Sequence, residues 1–473
     1  MKLPLRASAL PFLLSVSTLG TFVVACSSGD DVIPDMTDAA QDDDSDIDSP
    51  MDGGTKDASD RDSAKDAATD TSKPDSGPLT PPPWTAQFGT SGADYARRAT
   101  FDAAGNILVG GGTQGAFPGA TNAGDYDAFV AKLDAAGTVL WTRQLGTPGS
   151  DVVFALATDA SGNIYAVGSV NGALPSQTAP GFVDGFIRKY DSAGNTLWTK
   201  QIGTASSDSV FGASVDSNGN LLIVGETAGA LTGTKTAKEF DAFLQKYDPA
   251  GTLLFTRQFG AAGSGGTDQG VDVTVDGTGN IYVVGGTTGA FAGETARGGT
   301  DVFLRKLDSS GTELWTKQFG TTGDDFVGDV TTDASGNVYF TGQTNAAFAG
   351  QTYAGGRDAF LVKVDGNGNA IFTKEFGTSA RDYGTHLFSN ANGSISVVGT
   401  AGAGLAPQGP VGTFVATFDA TGKLLTIGQK ATGGDGWLIG ANGCVITPTD
   451  SFSALPGKPT AGDLDAVVTR YCF

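Results

Sequence analysis

The sequence predicts an all-β fold: a seven-bladed β-propeller of four-stranded antiparallel blades, its ring closed by the N-terminal strand in the last blade. Three observations predict it. One block recurs along the chain, as Leu140-Trp141-Thr142-Arg143-Gln144-Leu145-Gly146, then Leu197-Trp198-Thr199-Lys200-Gln201-Ile202-Gly203, then Leu314-Trp315-Thr316-Lys317-Gln318-Phe319-Gly320. The aromatic position of that block, filled by Trp84, Trp141, Trp198, Phe255, Trp315 and Phe372, steps by 57, 57, 57, 60 and 57 residues. A fixed period of this kind marks a repeat architecture. Finally, the two ends are complementary: Trp84–Gly89 is a fourth-strand block with no strands before it, and Asp465–Tyr471 is a third-strand block with none after it. Pairing them completes a blade and removes a sheet edge.

The elements follow in chain order. Lys2 and Arg6 precede an apolar stretch from Ala7 to Ala25, a secretory signal pattern that occupies residues 1–25. The stretch ends in Val23-Val24-Ala25-Cys26, which resembles the bacterial lipobox. That resemblance implies that Cys26 carries the lipid of a membrane-anchored lipoprotein, and Ser27 after it implies outer-membrane sorting and cell-surface display. Residues 26–83 form an acidic linker, with 16 Asp, no Glu and four Lys or Arg between Ser27 and Pro83. Such a segment cannot bury enough apolar surface to offset chain entropy, so disorder is expected there. Its expected role is a spacer that holds the domain of residues 84–473 off the membrane.

Within that domain one period illustrates all. Phe154–Thr158 alternates weakly, and Asp159–Asn163 is a turn. Ile164–Gly168 is apolar and β-branched, and a loop rich in Gly, Ala and Pro follows. Asp184–Tyr190 alternates apolar and charged residues, Asp191–Asn195 turns the chain, and Thr196–Ile202 is the fourth strand. Strands joined by Asp, Gly and Asn turns at this spacing form an antiparallel meander. A lone four-stranded sheet cannot bury both faces, whereas a ring of them can. The third strand begins at Asp127, Asp184, Asp241, Asp301, Asp358, Thr413 and Asp465, which sets the expected count at seven.

These blocks, D-A-F-x-x-K-x-D-x-x-G-x-x-x-W-T-x-Q-F-G and D-x-x-G-N-I-Y-V-V-G, resemble the SBBP (β-propeller repeat) family of bacterial surface proteins. The likeness is good from residue 84 to about 430 and weak in the last blade, where the turn aspartates are lost. It implies a secreted propeller and no catalytic residues, because the family is defined by structural repeats.

Composition narrows the chemistry. One His excludes a multi-histidine metal site, and three Cys exclude a cysteine-rich zinc scaffold. A net charge of −22 argues against nucleic acid as a partner. The most suggestive constellation is a ring of Asp94, Asp151, Asp208, Asp268, Asp325, Asp382 and Asp435, one in each loop that enters an innermost strand. Two readings stand side by side: turn capping through backbone N–H bonds, and a top-face acidic funnel for calcium or another cationic ligand. Asp102, Asp159, Asp216, Asp276 and Asp333 head the first hairpin turns, and Asp134, Asp191, Asp248, Asp308 and Asp365 the second. Their spacing lacks the alternating oxygen ligands of a calcium loop, so turn chemistry is expected. His386 falls on an innermost strand as a packed or channel-lining residue.

Cys444 and Cys472 fall at the start of one strand and the end of the next, and an exported compartment favours their disulfide. No cofactor is expected beyond the calcium alternative. The expected function is a monomeric binding or adhesion module for a glycan, an envelope component or a surface protein. A rim of loop aromatics such as Phe291 and Phe348 would serve it if they were exposed rather than packed. The alternatives are a propeller lyase or hydrolase, or a purely structural scaffold. An enzyme should gather unlike polar residues in one sector, and the linear repeat displays like ones.

Overall fold

The computed structural model describes residues 84–473 except 234, 237–238, 262–265, 391, 406–408, 432–438, 442–443, 452–464 and 473. The signal pattern, Cys26, the acidic linker and Asp435 lie outside the described residues.

Strand β1 is Trp84–Phe88. Six sheets of four consecutive strands follow. The first holds β2 Asp94–Phe101, β3 Ile107–Thr113, β4 Asp127–Leu133 and β5 Val139–Leu145. The second holds β6 Val152–Thr158, β7 Ile164–Val170, β8 Asp184–Tyr190 and β9 Thr196–Ile202. The third holds β10 Asp208–Val215, β11 Leu221–Thr227, β12 Asp241–Tyr247 and β13 Leu253–Phe259. The fourth holds β14 Asp268–Val275, β15 Ile281–Thr287, β16 Asp301–Leu307 and β17 Glu313–Phe319. The fifth holds β18 Asp325–Thr332, β19 Val338–Thr344, β20 Asp358–Val364 and β21 Ala370–Phe376. The sixth holds β22 Asp382–Ser389, β23 Ile395–Ala401, β24 Gly412–Phe418 and β25 Leu424–Ala431. The last strands, β26 Ile439–Ala441, β27 Cys444–Ser451 and β28 Asp465–Cys472, form a composite sheet with β1 in the order β1-β28-β27-β26. The fold is therefore an all-β propeller of four-stranded antiparallel blades.

Hairpin chemistry sets the blades. Asp102 Oδ1 accepts from the backbone N–H of Ala104 and Asn106, both at 2.9 Å, and Oδ2 accepts from Asn106 Nδ2 at 2.8 Å. Gly105 sits at φ +80°, a left-handed conformation that only glycine adopts without strain. The same carboxylate takes a 2.8 Å ion pair from the buried Lys132, which also donates to Ser192 O of the next sheet at 3.1 Å. Lys189 repeats the strap, to Asp159 at 3.5 Å and Pro249 O at 3.0 Å. Trp141 Nε1 reaches that same Ser192 carbonyl at 3.4 Å. The turn aspartates thus do what the sequence predicts of them.

Neighbouring sheets meet through side chains. Six apolar clusters bridge them in turn, from Ala466 and Val468 against Ala99 and Phe129 at the start to Ala359 and Leu361 against Val397 and Phe414 at the end. The composite sheet behaves as a blade toward its successor: Trp84 Nε1 donates to Ala135 O at 2.9 Å, as Trp141 does one sheet on.

The expectation of seven like blades closed by hydrogen bonds is corrected here. Six blades follow the repeat, and the remaining sheet is assembled from both ends of the domain. The β1–β28 pairing, Trp84↔Arg470 to Phe88↔Ala466, lies inside that one sheet. Among the described residues no strand ladder runs from sheet to sheet; successive blades share only isolated bridges, Phe240↔Thr267 and Arg357↔Arg381, and single backbone bonds such as Asp325 N to Thr300 O at 2.7 Å. The physical reason is that a blade satisfies its ladder within itself, so packing, side-chain straps such as Lys132 to Ser192 O and single backbone bonds are left to hold one blade to the next.

Candidate functional site

The aspartate ring comes first. Six of its members are described, and all six are buried: Asp94, Asp151, Asp208, Asp268, Asp325 and Asp382. Each caps the corner that feeds its strand. Asp94 Oδ2 accepts from Thr90 N, and Asp325 Oδ2 from Thr321 N, both at 2.6 Å. Asp151 also accepts from Asn171 N, and Asp268 from Ala261 N, at 3.0 and 2.9 Å. Asp208 and Asp382 take the Thr204 and Thr378 hydroxyls at 3.0 and 2.8 Å. These bonds belong to the turn-capping reading. Among the described residues, no three Asp, Glu, His or Cys side chains come together as a set able to hold a metal ion.

A second aspartate stands beside each cap. Asp127, Asp184, Asp241 and Asp301 open the third strands and accept a 2.8 Å bond from the fourth-strand amide of Gln144, Gln201, Gln258 and Gln318. Gln87 of β1 makes the same 2.8 Å bond to Asp465 of β28. A glycine separates the paired carboxylates. A Cβ on Gly320 would stand 2.1 Å from Asp301 Oδ1 and 3.1 Å from Asp325 Oδ2, so no larger residue fits. Burial, reinforced by the like charge alongside, pushes the carboxyls of Asp151, Asp268 and Asp325 up to about 6.

The loop aromatics are packed. Phe291 and Phe348 are buried and stack on Phe303 and Phe360 with centroids 5.2 and 5.3 Å apart. The aromatic rim weighed from the sequence is not formed by these rings.

The axis holds what the linear repeat hid. Each first strand carries a bulge, and the residue after it occupies one equivalent position: Arg98, Ala155, Gly212, Asp272, Asp329 and His386. The repeat makes these positions alike, yet their chemistry differs. Arg98, Asp272, Asp329 and His386 line one cavity of 260 Å3, together with residues of β6 and β10. Arg98 Nη1 donates to His386 Nε2 at 2.5 Å, so that nitrogen carries no proton. Burial and the Arg98 charge hold His386 well below its usual range. Asp329 accepts from Leu387 N and Val330 N, each at 2.8 Å, and Asp272 accepts from Val330 N at 3.2 Å. Burial first, and then the Asp272 charge and hydrogen bond, raise Asp329 well above the carboxylate range. Asp329 is thus a carboxyl whose neutral form is favoured by its burial and by the carboxylate beside it. The expectation that no sector gathers unlike polar residues is corrected by this cluster. His386 was singled out alone; the signal that finds its partners is the same period of 57 or 60 residues, read at the bulge instead of at the Trp.

Cys444 and Cys472 are direct cross-strand partners in the β27–β28 register. Their side chains lie outside the described residues.

A match to a family of repeats agrees with the fold. Residues 140–174, 197–231, 254–292 and 314–349 match the β-propeller repeat family, SBBP. The regulatory protein FlaEY of Caulobacter vibrioides is 25% identical over 385 residues, covering 71% of this chain and 39% of that protein. A WD repeat-containing protein of Acanthamoeba polyphaga mimivirus is 23% identical over 239 residues, covering 39% and 17%. The chain thus spans well under half the length of these relatives. Among solved structures, the WD40 domain of Neurospora crassa Pan2 aligns at 11% identity and TM-score 0.47, covering 81% of this chain and 95% of that one. The polysaccharide lyase Uly1 aligns at 10% and 0.44, covering 81% and 91%.

Proposed function

We propose that this chain is a surface-displayed binding module, anchored through Cys26, whose propeller takes a hydroxyl-rich glycan at the axial cleft. The observation that carries the reading is the break in repeat symmetry at the bulge position, where Arg98, Asp272, Asp329 and His386 face one cavity. Residues kept only for the repeat have no reason to differ there. An arginine donor, a buried carboxyl pair and an imidazole together offer donors and acceptors to hydroxyls, which both give and take hydrogen bonds. On this reading the composite sheet packs on β2–β5 and shields the edge of the first blade. A Cys444–Cys472 disulfide pins that sheet, and a thiol titration of the non-reduced protein that finds both cysteines free would remove it.

The same cluster favours a second reading, a lyase or hydrolase that uses the Asp272–Asp329 pair as its acid. A glycan array on the full chain, followed by product analysis on every hit, separates the two. Binding without turnover that is lost in Arg98→Ala and Asp329→Ala supports the module. Turnover abolished by Asp329→Asn supports the enzyme. Hits unaffected by any of these changes would sink both.

A further inference from the structure

A larger cavity, of 540 Å3, opens away from the axis between the fifth and sixth blades, with Lys374, Glu375, Phe376, Phe418, Lys423 and Ile427 among its lining. Three features, two of them departures from the repeat, coincide there. The first is Glu375, which stands where four other blades have Gln144, Gln201, Gln258 and Gln318. In those blades the amide oxygen accepts from a loop N–H while the NH2 donates to the third-strand aspartate and to a loop carbonyl, as Gln318 does to Asp301 and Gly289 O at 2.8 and 2.9 Å. Glu375 Oε2 keeps the first role, accepting from Phe348 N at 2.8 Å. Its Oε1 takes the place of the donating amide and has nothing to donate. Glu375 Oε1 is buried without a hydrogen-bond partner. Burial, with the nearby Asp358 and Asp325 charges, lifts Glu375 above the usual carboxylate range.

The second departure makes the room. Arg305 of β16 lays its guanidinium 4.0 Å from the ring centre of Phe259 on the preceding blade, filling the gap between blades. Its register equivalent in β24, set by pairing with Ile427 as Arg305 pairs with Thr316, is Ala416. Ala131 of β4 is as small, but there Phe117 stacks on Phe129 at 5.3 Å; in the sixth blade the corresponding loop residue is Leu405. The third feature concerns charge and is shared with the second blade, where Gln177 holds the place of Gln351. Lys317 of β17 pairs with Glu294 at 3.1 Å, whereas the residue in Glu294's place one blade on is Gln351, so Lys374 lacks that carboxylate.

We infer that this gap is a binding site for a zwitterionic apolar guest, a free apolar amino acid or a short apolar peptide with both ends free. Its ammonium supplies the donor that the Gln-to-Glu exchange removed, at Glu375. Its carboxylate meets Lys374 and Lys423. Its side chain lies against Phe376, Phe418 and Ile427, in the space that Ala416 leaves. The site is independent of the axial cleft.

Isothermal titration of the full chain tests this, with phenylalanine and leucyl-phenylalanine as separate probes and N-acetylphenylalanine and phenethylamine as truncated ones. One zwitterion is expected to bind, and each truncated probe to bind at least about tenfold more weakly. Glu375→Gln restores the amide of the other blades, so it should keep or raise the melting temperature while weakening the zwitterion at least about tenfold. Ala416→Val should weaken it as well, and Arg98→Ala should leave it unchanged, which separates this site from the axial one. No binding by either zwitterion up to about 10 mM, or equal binding by wild type and Glu375→Gln, would overturn the inference.

Discussion

The hairpin aspartates and the inner-strand aspartates recur with the same period and are the same residue, yet the fold drives them in opposite directions. Asp102, Asp159, Asp216, Asp276 and Asp333 sit at turns, where neighbouring amides and, in most of these turns, a lysine offset partial burial and hold the carboxyl below its usual range, Asp276 at about 2. Asp151, Asp268 and Asp325 are buried more deeply and have a second carboxylate for a neighbour in place of a lysine, so they rise to about 6. Repetition therefore says nothing about charge state. What decides it is depth of burial set against the amide and hydroxyl donors that reach the carboxylate, with a nearby third-strand lysine or aspartate adding to the difference.

The largest effect should come from breaking the first set. Asp102→Ala strands the buried Lys132 ammonium and empties two backbone caps, and a loss of about 3–5 kcal/mol in urea unfolding is expected. The second set should respond in the opposite sense. Asp325→Asn keeps an acceptor for Thr321 N and removes a charge held beside Asp301, so a gain of about 1 kcal/mol at pH 7 is expected. A comparable loss in both variants would erase the distinction.

A pH series sharpens the contrast without mutation. A carboxyl with a raised folded-state pKa binds more protons folded than unfolded, so its contribution falls as pH climbs from about 4 through 6. The hairpin set contributes stability above its unfolded pKa, and that is lost as pH drops from about 4 toward 2. Urea midpoints should therefore peak on the acid side of neutrality, and a steady rise up to pH 8 would contradict the assignment. The smallest change is expected at the exposed turn of Asp308, where Asp308→Asn should shift the melting temperature least of the series.

Much of this was legible in the chain before folding. The Asp-x-x-Gly-Asn turns, the alternating third strands and the complementary ends depend on neighbours within a few residues or on one repeated pattern, and local chemistry of that kind is written in order along the sequence. So was turn capping by Asp94 and its counterparts, since Thr90 lies only four residues away. The packing of Phe291 and Phe348 was less so, because the rings that cover them come from another strand.

Tertiary structure alone decided the rest. A one-residue bulge in each first strand selects which side chain faces the axis, and only curvature of the whole array brings Arg98 within 2.5 Å of His386, 288 residues away. The Glu375 site likewise depends on Ala416 of the next blade, a residue that means nothing until two sheets meet. Contacts between adjacent blades recur at a fixed offset, as Trp141 and Trp198 each reach a carbonyl 51 residues on, but contacts across the axis do not: their partners are chosen by how far the sheets turn, and that is a property of the assembled core rather than of any one repeat.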